Sequence, residues 1–260
     1  MVLILVKNSL IDSGRIRRKI FTFAMIGCLA ASFILFLNIN VSYHQGINYE
    51  VGVIKLPLYL KVLDFFDRHY NYKQLAKDII KDAGGDEEKI LKILGWTYNN
   101  IKRVPKNFPV IDDHIWHVIV RRYGTNDQYQ DVFATLCNHS GMDAFFNSVY
   151  NRDKTEKKSF SFVKLRNGWA VFDAYDGVYF KNRNGHIATV KEMLGGDSQA
   201  ISMKEEGIAV DNYAEYLTNL DSINSKNFEF SRSAIQSPLR RLFAYLTNRM
   251  KYSVDAKEKQ

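Results

Sequence analysis

The sequence predicts an α+β domain, a helix packed on an antiparallel sheet, carried behind a single N-terminal transmembrane helix. Three patterns predict it. Ile20 to Ile39 (IFTFAMIGCLAASFILFLNI) contains no charged residue. Residues 126–139 have helical character and run into a turn at Gly141. Ser159 to Leu165 (SFSFVKL) and Gly168 to Asp173 (GWAVFD) then read as strands, the first alternating apolar and polar so that one face is buried.

At 260 residues the chain accommodates one domain of about 200 residues plus an anchor. Its 17 Phe and 15 Tyr supply a substantial core, and 4 Pro with no low-complexity tract argue against long disorder. The formal charge of +8 overstates the folded part. Lys7, Arg15, Arg17, Arg18 and Lys19 precede the apolar run with only Asp12 to balance them; without them 31 bases face 27 acids. No nucleic-acid recognition module is visible, so no nucleic-acid partner is expected. Two cysteines, one of them inside the apolar run, exclude an intramolecular disulfide framework.

Residues 1–19 read as a basic cytoplasmic segment and 20–39 as an uncleaved signal anchor, a span of ~20 residues matching a bilayer. A cleavable signal would have a shorter apolar run, of about 7–15 residues. Five bases lie before the run and none follows until Lys55, which predicts a cytoplasmic N-terminus and a periplasmic or extracellular main domain. Residues 40–57 read as a connector whose first part, 40–52, is extended and polar. The main domain is expected over 58–195. Its first helix carries Leu60, Leu63, Phe66 and Tyr70 as a stripe, and a second covers Tyr72–Ala83 before Gly84-Gly85. Asp86 caps a third, with Glu87 and Glu88 favoured by its dipole and Ile90, Leu94, Thr97 and Ile101 on one face. Asp112-Asp113 precedes the His114–His117 segment as a cap, and Trp116 is expected to pack.

Further on, Tyr175-Asp176-Gly177 signals a turn into a strand at Gly177–Lys181, residues 182–185 a hairpin tip, and Thr189 with Glu192 a capping box. Residues 196–260 form a C-terminal helical extension. Asn212–Ile223 is expected to be helical, and Ser237-Pro238 opens a last helix. Leu239, Leu242, Phe243, Leu246 and Met250 make its apolar stripe, expected to dock on the core; a basic amphipathic helix lying on a membrane is the rarer alternative.

The order of elements from Gly124 (GTNDQYQDVFATLCNHSGMDA) through Trp169 to Asp173 resembles the core of the transglutaminase-like superfamily, a papain-like group of Cys-His-Asp enzymes. Phe133, Ala134, Leu136, Gly141, Met142, Ala144, Trp169 and Asp173 carry the resemblance. It implies a papain-like fold and a triad. The Cys position falls on Asn126, the His position on Lys158 (Lys157 if the loop shifts by one), and only Asp173 is kept. In that chemistry a helix N-terminus depresses the thiol pKa, a His takes the proton and an Asp orients the His. Asn126 has no such proton and suits an N-cap, together with Thr125 and Asp127. Lys158 is a cation better suited to an ion pair with Asp173 than to base catalysis. Cys137 returns to the same helix face ~16 Å along the axis and reads as a buried hydrophobe.

The expected function is therefore binding by a membrane-anchored, catalytically inactive domain, with a peptide, an envelope polysaccharide or a membrane protein as partner. Asp127, Tyr129, Trp169 and Tyr175 are the candidate cleft residues. One alternative is an enzyme, hydrolase or acyltransferase, using Lys158, or Asp173 with Asp127, in acid–base work. Another is a structural subunit of an envelope or polysaccharide assembly. No cofactor is expected. His114 and His117 lack further ligands at metal-like spacing, so no metal is expected either.

Overall fold

A computed structural model describes residues 2–48, 50–112, 114–204, 213–217, 220, 228 and 231–257. The elements in chain order are α1 (Val2–Leu37), β1 (Asn40–Ile47), β2 (Glu50–Pro57), α2 (Leu58–Ile79), α3 (Asp86–Asn100), β3 (Lys102–Arg103), β4 (Ile111–Asp112), α4 (Ile115–Arg121), β5 (Tyr123–Gly124) and α5 (Asn126–His139). They continue with β6 (Ala144–Tyr150), β7 (Lys157–Leu165), β8 (Gly168–Asp173), β9 (Val178–Asn182), α6 (Val190–Leu194), β10 (Ser198–Ser202), α7 (Ala214–Leu217), a 3-10 turn (Ala234–Gln236) and α8 (Pro238–Lys257).

The chain divides into two compact units. One comprises Met1–Tyr43 with Val53–Asp64, the other His44–Gly52 with Phe65–Gln260. In the first, Arg17–Leu37 of α1 is 21 residues long with a mean hydropathy of 2.4, and none of it is buried by the rest of the protein. It is long and apolar enough to cross a membrane. The polar segment that follows is extended, as expected, but in strands. Leu58 N donates to Ile39 O, and Lys61 Nζ donates to Ser42 O at 2.7 Å.

The second unit holds the α+β core. Five antiparallel strands run in the order β10-β9-β8-β7-β6. The β7–β8 register pairs Ser161 with Phe172 and Leu165 with Gly168. Helix α5 lies on one face. Its Val132, Phe133, Ala134, Leu136 and Cys137 are wholly buried and pack with Val163 and Phe172. The other face carries Phe145, Phe160, Phe162, Phe180 and Tyr213. Each such side chain contributes about 1.5–3 kcal/mol when withdrawn from water.

Two covered faces explain a departure from the sequence reading. Strict alternation in β7 predicted one solvated face, yet Ser159 to Val163 are all buried. The serines are satisfied inside: Ser161 Oγ donates to Gln130 Oε1 at 2.8 Å, and Ser159 Oγ lies 2.9 Å from Ser148 Oγ.

Other differences are local. Leu58–Ile79 is one helix rather than two, because nothing between Tyr70 and Tyr72 breaks the backbone bonding. Gly85, not Asp86, is the residue ahead of α3; Asp86 sits in its first turn and bonds Lys89. His114 precedes α4, and Asp113 lies outside the described residues. The Thr189–Glu192 capping box forms as expected. Of the helix expected over 212–223, only 213–217 and 220 are described, and Ala214–Leu217 is helical.

Candidate functional site

Helix α5 begins one residue earlier than a capping Asn126 would require. Thr125 is the N-cap, its N–H donating to Gln128 Oε1 at 3.1 Å, and Asn126 is the first helical residue. The cap reading of Asn126 is thus corrected. Its side chain turns along the helix instead, and Asn126 Oδ1 accepts from Gln130 Nε2 at 3.3 Å. A four-residue spacing puts both on one helix face.

Gln130 is wholly buried and ties α5 to the sheet. Its Nε2 donates to Asp173 Oδ1 at 3.0 Å, and its Oε1 accepts from Ser161 Oγ and from Ala174 N at 3.1 Å. Both ends of the amide are used, which fixes its orientation.

Asp173 ends β8 with no solvent exposure. Its Oδ1 accepts from Gln130, Tyr175 N (3.0 Å) and Asp176 N (3.2 Å). Its Oδ2 accepts from Tyr213 OH at 3.0 Å and from Lys158 Nζ at 3.0 Å. Lys158 is itself only 13% exposed and also reaches Asp176 Oδ2 at 2.8 Å. Its ammonium lies 4.6 Å from the centre of the Tyr213 ring. Asp176 is held from outside by Arg103 at 2.7 Å, and Arg103 stacks over Tyr175 at 4.4 Å. Two cations therefore balance two carboxylates.

Burial alone would lower the Lys158 pKa. The charge of Asp173 and the bonds to both carboxylates outweigh it and hold the ammonium above its usual value. Burial pushes the Asp173 carboxyl upward, with Lys158 pulling it back. For Asp176 burial also acts upward, but the bond and charge of Lys158, helped by Arg103, carry it below the usual carboxylate range. The two ion pairs hold the cluster as an ammonium between two carboxylates.

The predicted site residues separate into three groups. Lys158 and Asp173 meet directly, and Asn126 joins them through Gln130. Tyr129 and Tyr175 pack together beside this cluster, ring centres 5.0 Å apart, and Tyr129 OH donates to Ile101 O at 2.6 Å. Asp127 and Trp169 lie apart. Asp127 accepts from Thr125 Oγ1 and lines a pocket of about 340 Å³ with Asp112 and Gln128. Trp169 packs on Phe145 at 5.0 Å and Phe228 at 5.8 Å, lining a pocket of about 300 Å³. Four residue steps along the strand separate it from Asp173, roughly 13 Å.

Lys157, the shifted alternative, faces away and lies 5.7 Å from the Tyr150 ring. Cys137 is buried, and burial raises its thiol pKa well above normal. Trp116 packs edge-on against Tyr72 at 5.4 Å. Among the described residues, no group of three His, Cys, Asp or Glu is placed to hold a metal.

Sequence reasoning missed Gln130, Asp176 and Tyr213. The four-residue step from Asn126 was a signal for Gln130. Asp176 was read only as part of a turn. Nothing in the sequence links Tyr213 to Asp173.

A long helix laid on an antiparallel sheet, its start facing a carboxylate at a strand end, defines a papain-like α+β core. Residues 73–187 match the transglutaminase-like superfamily. Curated proteins include none that matches the sequence. Similar solved structures include a protein assigned as a cysteine protease from Cytophaga hutchinsonii, at 17% identity over 52% of this chain and 47% of that one, TM-score 0.36. A TGase is similar at 12% identity over 51% and 43%, TM-score 0.34. A protein assigned as a protease from Parabacteroides distasonis is similar at 15% identity over 48% and 28%, TM-score 0.34. The chain thus spans less than half of each of these structures.

Proposed function

We propose that this protein is a membrane-anchored, catalytically inactive transglutaminase-like protein that acts by binding. The partner class is a peptide, an envelope polymer or another membrane protein, met outside the cytoplasm. The carrying observation is the state of Lys158. A catalytic base must accept a proton, whereas Lys158 is held protonated between Asp173 at 3.0 Å and Asp176 at 2.8 Å. Asn126, at the helix start, supplies an amide where covalent catalysis needs a thiolate.

The apolar stretch Arg17–Leu37 supports the anchor, and the five bases before it support a cytoplasmic N-terminus. An enzyme that uses Lys158 as a base would need the lysine unpaired and its pKa lowered; the direct pair and the raised pKa weigh against that rival.

The test uses the full chain in lipid nanodiscs, incubated with a glutamine-containing peptide and a primary-amine donor, with peptide hydrolysis followed in parallel. The expected result is no turnover above buffer. Turnover that Asn126→Ala or Lys158→Met abolishes, with the melting transition retained, overturns the reading. An alkaline phosphatase reporter fused after residue 260 tests orientation, and an inactive, cytoplasmic reporter overturns the external placement.

A further inference from the structure

The apolar stripe of α8 was expected to dock on the core, and it does not. Among the described residues, Leu239 is 79% exposed, Leu242 56%, Phe243 60% and Leu246 49%. The helix is attached by a different side. Ala244 is buried, and Arg240 reaches Asn138 Oδ1 and Asp143 Oδ1, each at 2.8 Å. On a helical wheel Ala244 lies about 150° from the mean direction of the stripe. The stripe is therefore presented outward while the helix is pinned at its flank.

We infer that this face of α8 is a membrane-surface contact whose ligand is an anionic lipid bilayer. The spacing 239, 242, 243, 246 makes one continuous apolar strip, and Met250 extends it in sequence. Between Pro238 and Lys257 the sequence has five bases and a single acid, Asp255; with Arg240 taken up by Asp143, Arg241, Arg249, Lys251 and Lys257 are left for the lipid. A helix of low overall hydrophobicity with an apolar strip and a basic remainder suits the headgroup boundary of anionic lipid: the strip enters the acyl edge while the bases meet phosphates. A second protein would not require that excess of positive charge. Arg241, stacked over Phe65 at 4.7 Å, continues the basic surface towards α2, where Phe66 (41%) and Tyr70 (63%) are also exposed.

This inference rests on the anchor reading in one respect. A covalent tether keeps α8 at a high effective concentration near lipid, so a weak interfacial contact is occupied.

The test reads lipid contact residue by residue in the full chain. On a Cys28→Ser background, a spin label is placed in turn at Leu242→Cys, Leu246→Cys and, as a control off the strip, Thr247→Cys. Chains are reconstituted in bilayers of phosphatidylcholine alone or with phosphatidylglycerol. Collision with oxygen and with a water-soluble nickel complex is measured by electron paramagnetic resonance. At positions 242 and 246 in the phosphatidylglycerol bilayer, nickel collisions should be lost and oxygen collisions gained, while 247 stays water-accessible. Adding Arg249→Glu and Lys251→Glu should restore nickel access.

Water-type accessibility at 242 and 246 in the anionic bilayer overturns the inference. So does immobilisation with access to neither reagent, which would mean that protein covers the strip. Flotation of the chain with the bilayers reports the anchor separately. If the chain fails to float, the anchor reading falls, and the same labels with added vesicles still decide the α8 contact.

Discussion

Replacing Lys158 with methionine removes one cation from a cluster of two cations and two carboxylates while keeping most of the side-chain volume. Asp173 has no solvent exposure, so water does not take the place of the lost ammonium. Breaking a buried pair from one side costs about 3–5 kcal/mol. The lower end applies here. Asp173 keeps Gln130 Nε2, Tyr175 N, Asp176 N and Tyr213 OH as donors, and Asp176 keeps Arg103. About 3 kcal/mol in a domain of this size corresponds to a fall in Tm of roughly 6–12 °C.

The pH dependence of that loss is a second readout. Without Lys158 the Asp173 carboxyl, already pushed upward by burial, rises further above its unfolded value. A raised carboxyl pKa contributes stability below the unfolded value that disappears as pH climbs through the folded one. The deficit of Lys158→Met relative to the unmodified chain should therefore be larger at pH 7.5 than at pH 5. Thermal melts of the full chain in nanodiscs, followed by near-UV circular dichroism, measure both. A Tm drop under about 2 °C would place the pair in the range of an exposed ion pair, and an equal drop at both pH values would remove Asp173 from the explanation.

Gln130→Ala should cost about 1–3 kcal/mol, because Asp173, Ser161 and the Ala174 N–H lose a partner in a buried place; a melt within 1 °C of the unmodified chain would contradict that role. Gly177→Ala should destabilise by more than the ~1–2 kcal/mol of a left-handed alanine, since φ is +66° and the new Cβ would lie 2.9 Å from the Tyr98 ring; an unchanged melt refutes the need for glycine there. His139 is lowered to about 4, first by burial, and its pKa lies below the unfolded value. Its neutral form thus favours folding above about pH 6.5, and that contribution falls by about 3 kcal/mol as pH drops through 4. Asp131 works in the opposite sense: burial raises it to about 7, so its contribution is full below pH 4 and lost as pH rises through 7. Melting curves from pH 4 to 7.5 should accordingly tilt toward acid stability in His139→Gln and toward neutral stability in Asp131→Asn; parallel curves would show that neither group carries the dependence.

What the sequence made legible was the part whose determinants are local or periodic. Phe133, Ala134, Leu136 and Cys137 declare the buried side of α5, and GWAVFD declares β8 up to Asp173. β6 (AFFNSVY) was not read, because its two adjacent aromatics and following Asn-Ser break any period. The serines of β7 misled for a related reason. Alternation implies a wet face only if nothing covers it, and here Gln130 and the Phe145–Phe160–Tyr213 layer cover both. Lys158 with Asp173 was legible through the resemblance. Tyr213 was not, since it arrives from forty residues downstream. Trp169 was placed in the cleft for its neighbourhood in sequence, whereas the length of β8 sets it at the other end of the sheet face.

The chemistry of one position accounts for its neighbours. A histidine can stand neutral beside one aspartate and a thiol, because it gains and loses a proton near neutral pH. A lysine in the same place brings a permanent charge into a largely buried setting, and one buried carboxylate hydrogen-bonded on all sides offsets it incompletely. Asp176 supplies the second carboxylate at 2.8 Å, and Arg103 returns the cluster to neutrality from its exposed side. At the helix start, a thiolate next to this set would add an unbalanced negative charge. Asn126 adds none, and its amide oxygen accepts from Gln130, the residue that already grips Asp173. Under the binding reading, then, the amide, the lysine and the second aspartate belong together as one charge-balanced network, in which Gln130 and Asp173 tie α5 to β8.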